Sequence, residues 1–161
     1  YFLLKYTRNS LIVFDFHDAL SFEGETGPYL QYTVVRARNI FRKYGELNPQ
    51  FNLKDLENSA TKDLFAQFLD GPSGDSFWKV LSLSFQVDLV ADHAINSLDP
   101  SNFAKFAFRL AQAFNNFYHR CHVLTEKNKD RQLFFLFVVY IASSNLTRIL
   151  DLLGIRVPEK M

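Results

Sequence analysis

The side chains of this chain that are best suited to binding chemistry are aromatic and cationic, and they occur in two short groups. The groups are Tyr29, Tyr32 and Arg36, and Tyr118, His119 and Arg120. In the first group, steps of three and four residues place the side chains on one face of a helix. Aromatic rings stack on unpaired bases, for ~1 to 3 kcal/mol per base, and cations bind phosphates. The groups therefore indicate a site for single-stranded RNA; the alternative is that the tyrosines are half-buried residues whose hydroxyls reach water.

Enzyme signatures are missing from the sequence, which contains no Gly-rich phosphate loop, no GxSxG motif and no HExxH motif. Asp15 and Asp18, like Asp88 and Asp92, are spaced so that each pair shares a helix face. Solvated helix faces often carry such pairs, and general acid–base chemistry needs more than spacing. We therefore predict no catalytic residue in this chain.

The cysteine content limits the disulfides and the metal sites that this chain can form. Cys121 is the only cysteine, so no internal disulfide forms, and a reducing compartment, the cytoplasm, is expected. Together with His119 and His122 it lacks the paired spacing of a zinc site, and we predict no metal. The longest apolar run, residues 133–142, has about half of the ~20 residues that cross a bilayer, so we expect a buried helix and no membrane partner.

The length of the chain predicts one domain, and its acidic and basic residues are segregated along the sequence. The 161 residues suit a single core, and 48% apolar with 22% charged residues is typical of globular proteins. Residues 26–45 carry four basic and no acidic residues, and residues 100–161 carry nine basic against four acidic. Residues 46–99 carry three lysines against nine acids. If the basic segments pack side by side, they form a face suited to phosphates; separate solvated helix faces are the alternative.

Turn and cap residues divide the first half of the chain into helices. Residues 15–20 are predicted to be helical, and Thr26-Gly27-Pro28 begins a helix that ends at Gly45. The buried stripe of that helix is expected to be Leu30, Val34, Ala37 and Phe41. A short helix is predicted over residues 61–69, and a longer one follows Ser73-Gly74-Asp75 and runs through Leu98.

The second half contains the most regular helical pattern. Asp99 is the predicted N-cap of a helix whose first residue is Pro100. Its apolar residues recur at helical steps: Phe103, Phe106, Ala107, Leu110, Ala113, Phe114, Phe117 and Cys121. A last helix runs over residues 130–153 and is capped by Gly154. We predict an all-α fold, an antiparallel helical bundle whose core contains many of the 18 phenylalanines.

Three segments resemble the C-terminal domain of arginyl-tRNA synthetases. Residues 22–32 (FEGETGPYLQY), followed by Arg36, are similar to the segment that opens that domain. Residues 117–124 (FYHRCHVL) resemble the family's aromatic-Tyr-basic-Val-Leu helix end. Residues 150–155 (LDLLGI) and 158–161 (PEKM) are similar to the family's chain terminus. The three segments occur in the family's order and extend over nearly the whole chain.

The resemblance implies an all-helical anticodon-binding domain of the DALR type, in residues 26–161. Residues 1–25 would join it to an upstream catalytic domain of a class I arginine–tRNA ligase. ATP, Mg²⁺ and arginine would bind that upstream domain, whose HIGH-like and KMSKS-like motifs do not occur here. The chain alone is therefore expected to lack catalysis and cofactors. Its expected partners are the anticodon loop of tRNA(Arg) and the catalytic domain of the same protein.

The resemblance also implies a set of RNA contacts. In the family the anticodon loop meets the start of the basic helix, the late tyrosine-bearing helix and the chain end. With the basic residues added, the predicted tRNA-binding set is Tyr29, Tyr32, Arg36, Tyr118, His119, Arg120 and Met161. The terminal carboxylate of Met161 would accept hydrogen bonds from a base edge.

The sequence departs from the family pattern at one position of a matched segment, and a second function is also considered. Family members often read Gln-Tyr-Ala-His-Ala-Arg where this chain has Val34 in place of the histidine, so no contact of that histidine carries over. The alternative function is a helical module that binds another protein or another domain, without RNA binding.

Overall fold

The computed structural model describes residues 1–54, 56 and 74–161, and the regular structure in those ranges is helical. The helices are α1 (Phe16–Leu20), α2 (Gly27–Leu47), α3 (Gly74–Phe85), α4 (Val87–Ser97), α5 (Ser101–Arg120) and α6 (Lys129–Leu152). The predicted all-α fold class is confirmed. The helix predicted over residues 61–69 lies outside the described residues.

Helix α6 lies at the centre of the fold and packs against α2, α3 and α5. Among the described residues it is the one helix that is long and apolar enough to cross a membrane, and half of that apolar window is buried inside the fold. Phe134, Leu136 and Val138 are fully enclosed by the surrounding helices. The core position of α6 thus accounts for its apolar composition, as predicted from its sequence.

Phenylalanines from α3, α5 and α6 fill the core between these helices. The predicted stripe of α5 is buried throughout, from Phe103 to Cys121. The Phe117 ring meets that of Phe135 edge to face at 5.7 Å between centroids. Phe77 of α3 meets Phe134 of α6 in the same way at 4.9 Å. This geometry, which aromatic quadrupoles favour, joins the three helices.

Helix α2 begins as predicted and continues beyond its predicted end. The Thr26 hydroxyl accepts a hydrogen bond from the Tyr29 amide at 3.2 Å, which satisfies one of the free N–H groups at the helix start. The prediction that the helix ends at Gly45 was wrong, because α2 runs to Leu47. Asn48 caps the helix instead, since its backbone amide donates to the Tyr44 carbonyl at 2.9 Å.

The single helix predicted to run through Leu98 is interrupted at Gln86, so that α3 and α4 are separate. The Asn145 side chain of α6 donates to the Ser84 carbonyl at 3.4 Å. That carbonyl is one of those that a continuous helix would pair with an amide four residues later. The interruption lets α3 bury its apolar face, whereas in α4 only Val87 is buried.

The start of α5 differs from its prediction by one residue. The Asp99 carboxylate accepts from the Ser101 amide at 2.9 Å, but the helix begins at Ser101 and Pro100 precedes it. This bond from the Ser101 amide lowers the pKa of the Asp99 carboxyl. The predictions that Asp99 is the N-cap and that Pro100 is the first helical residue were each wrong by one position, because Pro100 is the N-cap.

Tyr1 joins residues 1–25 to helix α5, and Tyr1 and Lys5 both bond Glu25 within the segment. The Tyr1 hydroxyl donates to the Ala104 carbonyl and to the Glu25 carboxylate, both at 3.2 Å. Burial and the Glu25 charge raise the pKa of the Tyr1 phenol. Lys5 donates to the Glu25 carbonyl at 3.0 Å. The domain boundary between residues 25 and 26 remains a prediction.

The chain reverses direction after α6 and returns along α2. Gly154 has a φ of +72°, in the left-handed region that favours glycine. The Ile155 amide donates to the Leu150 carbonyl at 2.8 Å, which closes the turn. The Gln31 side-chain amide then donates to the Arg156 carbonyl at 2.7 Å and ties the tail, residues 155–161, to α2. The predicted cap at Gly154 is confirmed.

We expect Phe114→Ala to lower the free energy of unfolding by about 3–5 kcal/mol, because Phe114 is fully buried and the change leaves a cavity. Phe85→Ala is the control, since 76% of Phe85 is exposed, and it should change stability by less than about 0.5 kcal/mol. Urea denaturation measures both values. A similar loss in the two variants would contradict the assigned core.

Candidate nucleic-acid interface

Arg36 lies between two tyrosine rings that come from different helices. Its guanidinium carbon is 4.7 Å from the centre of the Tyr32 ring on α2 and 5.2 Å from that of Tyr118 on α5. A planar guanidinium is attracted to the negative faces of both rings. This group, the tyrosine clamp, consists of Tyr32, Arg36 and Tyr118.

The buried side-chain amide of Asn115 is hydrogen-bonded to the clamp through Arg36. Asn115 of α5 is 7% exposed, and its side-chain oxygen accepts from Nη1 of Arg36 at 2.8 Å. Its side-chain nitrogen donates to the Tyr29 hydroxyl at 2.9 Å and to Oγ1 of Thr33 at 3.0 Å. A buried polar network is stable when its members are satisfied, and this one fixes α2 against α5. The orientation of Arg36 is set before any ligand arrives.

The clamp opens into a cavity of about 300 Å³ between α2, the end of α5 and the end of the chain. Its walls include the clamp residues together with Asn39, Lys43, Leu124 and Met161. The volume is at the lower end for small-molecule pockets, and the walls combine rings, cations and apolar groups. Such walls suit an unstacked base with its phosphate.

Both ends of this cavity are fixed by hydrogen bonds elsewhere in the fold. Gln132 of α6 donates to the carbonyls of Val123 at 3.0 Å and Leu124 at 3.3 Å, and thereby holds the loop after α5. The bond from Gln31 to Arg156 brings the tail along α2, so that Met161, 47% exposed, reaches the cavity wall. The cavity is thus formed by segments far apart in sequence.

The structure brings together four of the predicted site residues, namely Tyr32, Arg36, Tyr118 and Met161. Tyr29 lies underneath, with its ring 5.4 Å from that of Phe108 and its hydroxyl on Asn115. The fold thus gives Tyr29 a supporting position within the network.

The two remaining predicted residues lie beyond Tyr118. His119 is exposed and lines a depression next to the cavity. Arg120 points away, and its Nη1 donates to the Ser76 hydroxyl at 3.2 Å. Contact with RNA remains a prediction for all seven residues.

Sequence analysis missed Asn39, Lys43, Leu124 and Asn115. Asn39 and Lys43 follow Arg36 at steps of three and seven residues, so helical spacing alone would have placed them on its face. Leu124 stood at the end of a motif but was given no role. Nothing in the local pattern distinguishes Asn115 from Asn116, because its importance arises from groups on another helix.

In each of the two acidic pairs, one aspartate side chain makes a bond within the fold. Asp15 accepts from the Asp18 amide at the start of α1 at 3.1 Å. Asp88 pairs with Arg148 of α6 at 2.9 Å. Within residues 1–54, 56 and 74–161, no group of three or more His, Cys, Asp or Glu side chains is arranged to hold a metal ion.

Comparisons with known proteins find one family over most of the chain. Residues 30–161 match the model of the DALR anticodon binding domain. The chain is 34% identical to the arginine–tRNA ligase of Clostridium acetobutylicum and 35% identical to that of Exiguobacterium sibiricum. Each match covers 98% of this chain and 25% of the relative, so the chain spans a quarter of the length of these relatives.

Solved structures agree with the family match. The arginyl-tRNA synthetase of Thermus thermophilus superposes with a TM-score of 0.75 at 30% identity, over 99% of this chain and 25% of that one. The enzyme from Plasmodium falciparum gives a TM-score of 0.76 at 22% identity, over 98% and 25% respectively, and shares the fold.

We expect Arg36→Ala to lower the free energy of unfolding by about 1–3 kcal/mol, because it removes the donor to the nearly buried oxygen of Asn115. Arg38→Ala is a matched control: Arg38 has the same charge, lies on the same helix and is exposed, so the change should be below about 0.5 kcal/mol. Urea denaturation of both variants provides the comparison. Equal stability of the two would show that Arg36 does not brace the clamp.

Proposed function

Since the chain belongs to the DALR anticodon-binding domain family, we propose that it binds the anticodon loop of arginine tRNA in the cavity beside the tyrosine clamp. The observation that carries this proposal is the position of Arg36 between Tyr32 and Tyr118, at the wall of a cavity that Met161 also lines. Rings, cations and an apolar side chain at one opening match the chemical groups of an unpaired nucleotide.

Each part of the cavity has a separate task in this proposal. The faces and edges of Tyr32 and Tyr118 that Arg36 leaves uncovered take bases that have left their stack in the loop. The exposed side chain of Lys43 neutralises a phosphate at the rim. The exposed part of the Met161 side chain adds an apolar surface to the cavity wall, against which a base packs. Unpaired loop bases present their edges, whereas an A-form stem conceals them.

In the whole protein this chain would serve aminoacylation without performing it. We propose that the parent is an arginine–tRNA ligase whose upstream domain binds ATP, Mg²⁺ and arginine. The names of the relatives, and the quarter of their length that this chain spans, support that proposal. Anticodon binding would then orient the tRNA so that its distant acceptor end reaches the upstream site. A cytoplasmic location fits the single, buried Cys121.

We expect Tyr118→Ala, in the full-length protein, to weaken binding of arginine tRNA by about 1–3 kcal/mol because a stacking surface is lost. Arginine activation with ATP should stay unchanged, since it takes place in the upstream domain. Tyr118→Phe is the matched control, because it retains the ring and should bind nearly normally. Binding is measured by filter retention and activation by pyrophosphate exchange.

Two results would count against anticodon binding. One is an equal loss of tRNA binding and arginine activation in Tyr118→Ala. The other is unchanged tRNA binding in that variant, which would favour the alternative of a protein-interaction module.

We also expect deletion of Lys160 and Met161 to reduce discrimination between arginine tRNA and a tRNA with a changed anticodon, because part of the cavity wall is lost. The thermal midpoint should hardly change, since both residues are exposed and contribute little core. Competition binding with the two tRNAs, beside thermal denaturation, measures both effects. A large fall in the midpoint would assign the tail to folding.

A further inference from the structure

A line of depressions leads from the cavity beside the clamp along the loop that joins α5 to α6. The first, of about 310 Å³, has Tyr118 and Leu124 in common with the cavity and also borders His119 and His122. The second, of about 280 Å³, has His122 in common with the first and lies farther along the loop. The three cavities are therefore neighbours along this part of the protein surface.

The second depression differs from the cavity in chemistry. Among the residues that the structure describes, its charged walls are Arg120, Lys127 and Arg131, with the carboxylate of Glu126. Arg120 donates to a neutral hydroxyl, that of Ser76, and Arg131 pairs with Glu126 at 3.7 Å. In this described part of the wall, cationic side chains therefore outnumber carboxylates.

The described residues of the same depression offer no accessible ring on which a base would stack. Phe135 is the one aromatic residue among them, is 2% exposed, and lies beneath the guanidinium of Arg131 at 5.3 Å. A surface with cations and no accessible ring attracts phosphate and gives little to a base. Lys127 is exposed and lines this surface.

We propose that the depression lined by Arg120, Lys127 and Arg131 is a phosphate subsite for a nucleotide that flanks the anticodon. The proposal rests on the proposed function, since the strand reaches the subsite only if loop bases occupy the cavity. The clamp reads bases, and the subsite holds the backbone that runs on from them. This division means that the subsite adds affinity without adding sequence preference.

The test uses the full-length protein and an RNA stem-loop with the anticodon loop of arginine tRNA. Lys127→Ala should weaken binding several-fold and reduce the slope of log affinity against log salt by ~0.7, the value of one contact to a single strand. Lys105→Ala is the matched control, because Lys105 is an exposed lysine on α5 away from the depression, and it should leave the slope unchanged.

A second arm places one neutral methylphosphonate at successive positions of the loop backbone. At one flanking position the neutral linkage should weaken wild-type binding as much as Lys127→Ala does. Combined with Lys127→Ala, it should cost almost nothing more, since both remove the same contact. Additive losses at every position would overturn the subsite.

Failure of this inference is distinguishable from failure of the proposed function. If Tyr118→Ala weakens binding while Lys127→Ala and Arg120→Ala leave affinity and salt slope unchanged, the subsite is absent and anticodon binding stands. If Tyr118→Ala has no effect either, the proposed function fails as well. A Lys127→Ala loss that varies with the anticodon bases would overturn the assignment to phosphate.

Discussion

The interface depends on a single buried amide, that of Asn115, which joins two helices through one acceptor and two donors. Its oxygen holds Arg36, and its nitrogen holds Tyr29 and Thr33 of the same helix. Because an unpaired polar group in the core is costly, the helices cannot slide without breaking several bonds at once. The register of α2 against α5 is therefore tied to the geometry of the clamp.

This arrangement also explains why an arginine occupies position 36. A guanidinium is flat, so it contacts the rings of Tyr32 and Tyr118 while one of its nitrogens reaches Asn115. The ammonium group of a lysine has no plane and would not serve all three partners. With the rings held in advance, a ligand that stacks on them would lose less side-chain entropy than it would with mobile tyrosines.

Much of this could be predicted from the sequence, for reasons that differ among residues. The stripe of α5 and the Gly154 cap follow from local periodicity and backbone preference, and both were found. The interruption at Gln86 lies beside a bond from Asn145, on another helix, to the Ser84 carbonyl, a contact that no local pattern reveals. Asn115 was missed for the same reason: its partners are remote in sequence. Local patterns predict elements, whereas polar contacts between elements need the fold.

The fold also decides what the departure from the family's sequence means. Val34, which stands where relatives often have histidine, is fully enclosed in the core, on a different face of α2 from Tyr32 and Arg36. A side chain at that position meets the interior of the bundle and does not line the cavity. The replacement therefore alters packing, and valine avoids the need to satisfy a buried imidazole. Val34 is not among the residues that line the cavity, so the departure leaves the described cavity wall unchanged.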